Sequence, residues 1–289
     1  RITKQGPGIS ANRPGSGPMN QLATRLMDRL MSAEKFLLTT HRNPDPDGLG
    51  SEVALHGLLL ALGKDVIIAN PDRAAERLRF LDPEGIVQVF ADVDPAGRTV
   101  VIIDNSDLDR IQNVQSAILS DQSNLIIIDH HDGATPDFQK TFQDPASAST
   151  SEIVYKLYAE ANIVPSPIAA TGLYAGLIAD TGNFRYRKTS PRSHLMAAHL
   201  IELGVQPDVI SDLILSAFSL QRLQLKKKLY ASLAFNAAQN IAYFQLDLAR
   251  EDLSVPDLDQ AEGVINELLE IREIAAALFF SQRGPSLTR

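Results

Sequence analysis

Histidine and aspartate residues are concentrated in four short segments that lie far apart in the chain. These segments are residues 41–48 (HRNPDPDG), residues 104–107 (DNSD), residues 129–133 (DHHDG) and Asp180, which precedes Thr-Gly-Asn. The chain contains no cysteine, which excludes disulfide bonds, zinc–thiolate sites and a cysteine nucleophile. Oxygen and imidazole ligands without thiolates favour Mn²⁺ or Mg²⁺, with Fe and Co as further choices. The residue types therefore predict a centre for divalent cations.

Two histidines and four aspartates are more than a single cation requires. Clustered carboxylates repel one another, and some would take up a proton unless cations neutralise them. A carboxylate that bridges two cations about 3.5–4 Å apart is the usual arrangement. Such pairs clamp phosphoryl oxygens and activate water, so the clusters favour a two-cation site for phosphoryl chemistry. One aspartate at a strand end is usually a helix cap or a turn residue, and the inference rests on the four segments together.

Buried strands must position the first three segments. Apolar runs precede these segments at residues 35–40, 99–103 and 125–128. We expect two further strands at residues 66–69 and 86–90. Helices are expected at residues 48–62 and 108–120. Such runs are typical of parallel strands covered on both faces. Ligands bind beyond the carboxyl ends of these strands. The predicted fold is α/β, with an open, mostly parallel sheet flanked by helices and the site at its carboxyl edge.

The segment Gly-Leu-Gly-Ser at 48–51 opens the helix after the first cluster. Backbone N–H groups and the positive end of the helix dipole favour a phosphate there, so Ser51 is a candidate substrate contact. The segment is not a P-loop, because it lacks the terminal Gly-Lys-Ser/Thr.

Composition changes along the chain predict four regions. Residues 1–18 are rich in Gly, Pro and Ser and are expected to be a disordered lead or an expression remnant. Residues 19–190 form the expected catalytic domain, 191–205 a linker helix and 206–289 a smaller C-terminal α/β domain. Further elements are expected as helices at 147–161, 167–179, 207–235 and 261–271 and as strands at 240–247 and 274–280. The apolar helix 167–179 suits a homodimer interface as well as a core.

The overall charge limits the partners. The net charge is −8, and a protein without a basic footprint is a poor binder of long duplex nucleic acid. No apolar run approaches the ~20 residues that span a bilayer, and no secretory signal is visible. We therefore expect no membrane partner and a cytoplasmic location.

Four motifs in this order resemble those of the DHH phosphoesterases. They are HRNPDPDGLGS, VIIDNSD, IIIDHHDG and IADTGNFRY, and they fall within residues 34–190. The likeness is greatest to the small two-domain nanoRNases that are also 3′-phosphoadenosine 5′-phosphate phosphatases. It implies that His41 and Asp45 bind one metal, usually manganese, and that Asp47, His130 and Asp180 bind the other. Asp104 would bridge the two, Asp129 would orient an imidazole, and His131 would face the substrate phosphate.

The resemblance also bears on substrate binding. Arg185 follows the fourth motif and is a candidate phosphate contact. A Gly-Gly-Gly-His motif of the family is absent from this sequence, so the C-terminal domain is expected to be incomplete, with Arg289 as a last trace of a substrate-binding strand. The implied function is metal-dependent hydrolysis of short oligoribonucleotides or 3′-phosphoadenosine 5′-phosphate. The alternatives are a cyclic or linear dinucleotide phosphodiesterase, an inorganic pyrophosphatase and a non-catalytic nucleotide-binding regulator.

Overall fold

The computed structural model of the chain describes residues 18–93, 95–107, 110–111, 124–133, 141–216, 220–247, 262–284 and 287–288. The chain divides into two compact units, Arg1–Ser216 and Ala217–Arg289. The division follows Ser216 rather than residue 205, because the segments Pro207–Ser211 and Asp212–Ser216 pack on the helix Pro167–Asp180 of the first unit. The expected lead at 1–18 lies outside the described residues except for Pro18, which begins a helix.

The first unit contains a fully parallel sheet with the strand order β3–β2–β1–β4–β5–β6. Its strands are Lys35–Thr39 (β1), Asp65–Asn70 (β2), Val87–Val89 (β3), Thr99–Ile103 (β4), Leu125–Asp129 (β5) and Thr141–Gln143 (β6). β4 and β5 are buried along their whole lengths, as their apolar sequences predict. The chain passes from β1 out to β3 and returns to β4 beside β1, so a crevice opens at the carboxyl ends of β1 and β4. The predicted α/β sheet is confirmed, whereas β6 is missed because TFQ carries one apolar residue.

Helices cover this sheet and supply most of the core. They are Pro18–Met31 (α1), Pro46–Ala61 (α2), Thr150–Ala161 (α3), Pro167–Asp180 (α4), Pro191–Glu202 (α5) and Pro207–Ser211 (α6). α4 packs against α2 and buries its apolar residues in the core of the unit. α5, expected as a linker, likewise buries Met196 and Leu200 in that core. The helix expected at 108–120 lies outside the described residues except for 110 and 111.

The second unit contains a mixed sheet with the strand order β10–β9–β8–β7. Its elements are Leu220–Ala231 (α7), Ala234–Phe235 (β7), Ile241–Asp247 (β8), Glu262–Leu269 (α8), Ala276–Gly284 (β9) and Leu287–Thr288 (β10). β8 and β9 are parallel, and Leu229, Phe244 and Leu268 lie in the core between sheet and helices. The prediction of one helix over 207–235 is wrong, because α7 ends where the Ser232 hydroxyl donates to the Leu229 carbonyl. No helix in the described part of the chain has the length and apolar character to cross a bilayer.

Candidate metal centre

The predicted ligand segments meet at the carboxyl edge of the first sheet. His41 follows β1, Asp104 follows β4, and residues 129–131 lie at the end of β5. The remaining candidates are Asp45 and Asp47, at the start of α2, and Asp180, the last residue of α4. The ligand atoms of the candidate residues fall into groups, and within each group all atoms lie within 4.8 Å of one another.

His41, Asp45 and Asp104 form the first group. His41 Nε2 lies 3.6 Å from Asp45 Oδ2 and 3.9 Å from Asp104 Oδ2. Asp45 is the N-cap of α2, and its Oδ1 accepts hydrogen bonds from two backbone N–H groups of that helix. His41 Nδ1 lies 2.7 Å from the Arg42 carbonyl oxygen, and a proton on Nδ1 would leave the Nε2 lone pair for a cation.

Asp47, His130 and Asp180 form the second group. His130 Nε2 lies 2.9 Å from Asp180 Oδ2 and 3.8 Å from Asp47 Oδ2. Nδ1 of His130 is buried and has no hydrogen-bond partner among the described residues, whereas Nε2 faces the carboxylate oxygens of Asp180, Asp47 and Asp104. A buried imidazole nitrogen that faces several carboxylate oxygens fits a cation ligand.

Asp104 lies between the two groups. Its Oδ1 is 3.5 Å from His130 Nε2, while its Oδ2 is 3.9 Å from His41 Nε2. The backbone of Asp104 has φ +59°, in the left-handed region, and its N–H donates to the Ile128 carbonyl at 2.8 Å. A carboxylate that turns one oxygen to each group suits a bridging ligand.

The N-terminus of α3 supports two of these carboxylates, which sequence reasoning missed. The backbone N–H of Thr150 donates to Asp47 Oδ2 at 2.7 Å, and that of Ser151 donates to Asp47 Oδ1 at 3.0 Å. The Thr150 hydroxyl donates to Asp104 Oδ1 at 2.8 Å. The signal in the sequence is Ser149-x-x-Glu152, a capping-box pattern that marks a helix start, where N–H groups and the helix dipole favour anions.

Ser51 has a different position from the one expected. It is completely buried, and its hydroxyl lies 3.4 Å from Asp47 Oδ1 and 3.0 Å from Ser151 Oγ. Ser51 therefore supports a ligand of the second group rather than reaching a substrate from solvent. Gly176 of α4 lies against the same side chains, and a Cβ there would collide with Asp47 and Ser151.

His131 and Asp129 form a pair beside Asp104. His131 Nδ1 lies 2.8 Å from Asp129 Oδ1 and 3.7 Å from Asp104 Oδ1. The His131 side chain is 52% exposed, against 6% for His130. Burial opposes ionisation of Asp129, but hydrogen bonds from the His131 ring and backbone outweigh it and lower the Asp129 pKa. The ionised carboxylate of Asp129 therefore orients the imidazole of His131, which is half exposed to solvent.

Burial and mutual repulsion disfavour ionisation of Asp47 and Asp104 when no cation is bound. Burial and the charge of Asp180 raise the pKa of Asp47 to about 7. Burial and the charge of Asp47 raise the pKa of Asp104 well above its usual value. Burial alone would lower the pKa of His130, but the hydrogen bond to Asp180 and the charge of Asp47 raise it to about 9. Divalent cations would remove the repulsion, so the residues present fit such ions.

Of the two predicted arginine contacts for the substrate, the structure describes only Arg185. Arg185 is exposed in the turn after α4, and Arg289 lies outside the described residues. Lys188, which no sequence motif indicates, contacts the segment that follows β5. Its Nζ is 3.3 Å from the carbonyl oxygen of His130 and 3.4 Å from Asp132 Oδ2.

The cluster of carboxylates and imidazoles at the carboxyl edge of a parallel sheet agrees with the resemblance to the DHH phosphoesterases. The chain belongs to the DHH family, since residues 35–177 match the model described as DHH family, N-terminal domain. The resemblance seen in the four motifs is thereby confirmed.

Relatives and a solved structure agree with this membership. The bifunctional oligoribonuclease and PAP phosphatase NrnA of Thermus thermophilus is 31% identical over 223 residues, which cover 76% of this chain and 63% of the relative. The protein of the same name from Bacillus subtilis is 27% identical over 190 residues, covering 63% and 57%. The chain thus spans less than two thirds of the length of either relative. An exopolyphosphatase-related protein from Bacteroides fragilis shares the fold, with a TM-score of 0.79, 22% identity and coverage of 93% of this chain and 81% of that chain.

Proposed function

We propose that this protein hydrolyses phosphate esters of short nucleotides with two divalent cations, for which we expect Mn²⁺, with Mg²⁺, Co and Fe as the alternatives. His41 and Asp45 hold one cation, Asp47, His130 and Asp180 hold the other, and Asp104 is shared. The observation that carries the proposal is the position of Asp104, whose two oxygens face different ligand groups. When bound, the cations would polarise phosphoryl oxygens and lower the pKa of the attacking water.

His131 is the proposed proton donor to the leaving oxygen, and Asp129 positions it. The 2.8 Å contact between His131 Nδ1 and Asp129 Oδ1 supports this assignment, because it fixes the ring and directs its other nitrogen away from the carboxylate. The half-exposed side chain allows the ring to meet a substrate.

The proposed substrates are short oligoribonucleotides and 3′-phosphoadenosine 5′-phosphate. The names of the two NrnA relatives support this class, and so does the net charge of −8, which disfavours long nucleic acid. We assign catalysis to residues 19–190 and substrate binding to 206–289, and we expect the protein to act in the cytoplasm.

Hydrolysis assays on the full chain test the proposal. With Mn²⁺, we expect release of mononucleotides from a 5′-labelled diadenosine dinucleotide and of phosphate from 3′-phosphoadenosine 5′-phosphate, and loss of both with EDTA. Metal analysis should find two ions per chain. No release from either substrate by protein that holds both ions would reject the proposal.

Two further substrates separate the alternatives. Release of phosphate from pyrophosphate, without hydrolysis of the nucleotide substrates, would identify a pyrophosphatase. Cleavage of cyclic di-AMP in preference to the linear substrates would identify a cyclic dinucleotide phosphodiesterase, and binding of cyclic di-AMP without turnover of any substrate would identify a regulator.

A further inference from the structure

The loop after α4 is a fixed support for Lys188. The Thr181 hydroxyl accepts a hydrogen bond from the backbone N–H of Phe184 at 3.1 Å. Phe184 has φ +66°, and its ring stacks on His194 of α5 with centroids 4.8 Å apart. A phenylalanine keeps such a backbone angle where its surroundings hold it. The loop thus returns Lys188 to the end of β5 in a defined position.

Lys188 contacts the segment that carries two histidines of the centre. Its Nζ donates to the His130 carbonyl at 3.3 Å, and its second partner is Asp132 Oδ2 at 3.4 Å. The side chain of Lys188 is 37% exposed, and that of Asp132 is 75% exposed. An ion pair this exposed contributes little stability, so Lys188 can exchange its carboxylate for another anion.

With two divalent ions and the substrate phosphate bound, the site would carry excess negative charge that a positively charged side chain could offset. The four proposed aspartate ligands and two divalent ions neutralise each other, whereas a terminal phosphate brings about −1.5 to −2 charges at neutral pH. A lysine ammonium binds phosphate oxygens as a point charge. Lys188 provides that charge beside His130 and His131.

We propose that Lys188 leaves Asp132 and binds a phosphate oxygen of the substrate, which favours substrates with a doubly charged terminal phosphate over singly charged diesters. This inference rests on the proposed function and names a specificity residue for that site.

Equilibrium binding tests the inference separately from turnover. The dissociation constants of 3′-phosphoadenosine 5′-phosphate and of the dinucleotide ApA, which lacks a terminal phosphate, are measured with Ca²⁺ in place of Mn²⁺ to slow hydrolysis. In Lys188→Met the first constant should rise roughly tenfold, as expected for loss of one charge-assisted contact. The ApA constant should change less than about threefold, and Lys188→Arg should retain tight binding.

Asp132→Asn distinguishes a substrate contact from a structural clamp. If Lys188 binds phosphate, removing its competing carboxylate leaves binding unchanged or tighter. If Lys188 only holds the loop, Asp132→Asn reproduces the loss seen in Lys188→Met, which would overturn the inference. Lys35→Met, at the amino end of β1, is the matched control and should bind like the wild type.

Turnover by the wild type reports on the proposed function alone. Equal binding of 3′-phosphoadenosine 5′-phosphate by the wild type and Lys188→Met overturns the role of Lys188, whether or not hydrolysis is seen. Mn²⁺ affinity should be the same in both proteins, and a weaker affinity in Lys188→Met would show that Lys188 instead supports the metal ligands through the backbone of His130.

Discussion

Asp104 is the proposed ligand whose two carboxyl oxygens face different ligand groups. It is buried between His41 and His130, and its carboxyl group is hard to ionise without cations because of burial and the charge of Asp47. The same group that suits two cations therefore destabilises the metal-free fold, a common conflict between function and stability.

The variant Asp104→Asn separates these two effects. We expect the number of bound Mn²⁺ ions to fall from two to at most one per chain and kcat to fall more than about 100-fold, since even outer-shell partners of a metal affect activity by 10–100-fold. Without metal, its melting temperature should equal or exceed that of the wild type, because one repelling carboxylate is gone. The control Asp28→Asn, on the exposed side of α1, should change none of the three quantities: the number of bound ions, kcat or the melting temperature. Retention of two ions and wild-type turnover would contradict the bridging role.

Glu52 is a buried carboxyl group that connects α2 to the strand ends. Asn70 Nδ2 donates to Glu52 Oε2 at 2.8 Å, and the Asn70 Oδ1 accepts from the backbone N–H of Thr40 at 3.0 Å. The Thr40 hydroxyl in turn donates to the Ile103 carbonyl at 2.7 Å. The chain of contacts thus fixes the backbone that precedes His41.

Glu52 makes the stability of the protein depend on pH. Burial raises its pKa to about 8 in the folded protein, above the ordinary value of 4.5. Between these values the folded state keeps a proton that the unfolded state has lost, so the unfolding free energy falls as pH rises, by up to about 1.4 kcal/mol per pH unit. Glu52→Gln should remove this dependence, and its stability relative to wild type should increase from pH 5 to pH 8 in urea unfolding with EDTA.

The exposed pair of Glu76 with Arg79 offers a control for this measurement. Glu76→Gln should keep the wild-type pH slope. Parallel slopes for Glu52→Gln and the wild type would show that Glu52 is ionised in the folded protein at all these pH values.

At the scale of elements, the contact between α2 and α4 positions ligands from both helices. Gly50 and Gly172 lie at the crossing, where a Cβ on Gly172 would be 2.7 Å from the Gly50 carbonyl oxygen. Only glycine allows the backbones to approach this closely. The close crossing brings Asp47, at the start of α2, to the end of α4, where Asp180 lies.

Gly172→Ala should therefore force the two helices apart. We expect a loss of about 1–3 kcal/mol of unfolding free energy, typical of overpacking, together with weaker Mn²⁺ binding. Gly57→Ala, on α2, would place its Cβ 3.2 Å from the Tyr158 hydroxyl oxygen and should have a smaller effect on both quantities. Calorimetric Mn²⁺ titration and urea unfolding measure the two quantities, and wild-type metal affinity in Gly172→Ala would contradict the role of the crossing.

Sequence patterns predict the elements with long apolar runs and the residues at their ends. β1, β4 and β5 and the segments that follow them are recognisable because burial on both faces requires uninterrupted apolar residues. The support of Asp47 by α3 is not recognisable, since its hydrogen bonds join residues more than 100 positions apart. The contact between Glu52 and Asn70 and the approach of Lys188 to β5 are also invisible in the sequence, because they join different elements and leave no local pattern.

At the scale of the whole molecule, the centre draws on one compact unit alone. All six proposed ligands belong to Arg1–Ser216. A ligand that binds only the folded state stabilises it by about 2.7 kcal/mol at a concentration 100 times its dissociation constant.

Hydrogen exchange resolved by mass spectrometry can locate this stabilisation. Mn²⁺ should slow exchange in β1, β4, α3 and α4, because these elements carry or support the ligands. The variant Asp104→Asn should lose most of the effect. Slower exchange confined to β8 and β9 would assign the metal to the second unit.

The order of the ligands along the chain has a consequence for synthesis on the ribosome. Five of the six have emerged by His130, yet the second group lacks Asp180 until the end of α4 is made. A nascent chain in the interval contains all residues of the first proposed group but lacks one carboxylate of the second. We therefore expect the second proposed cation to bind late in maturation, after α4 docks on α2.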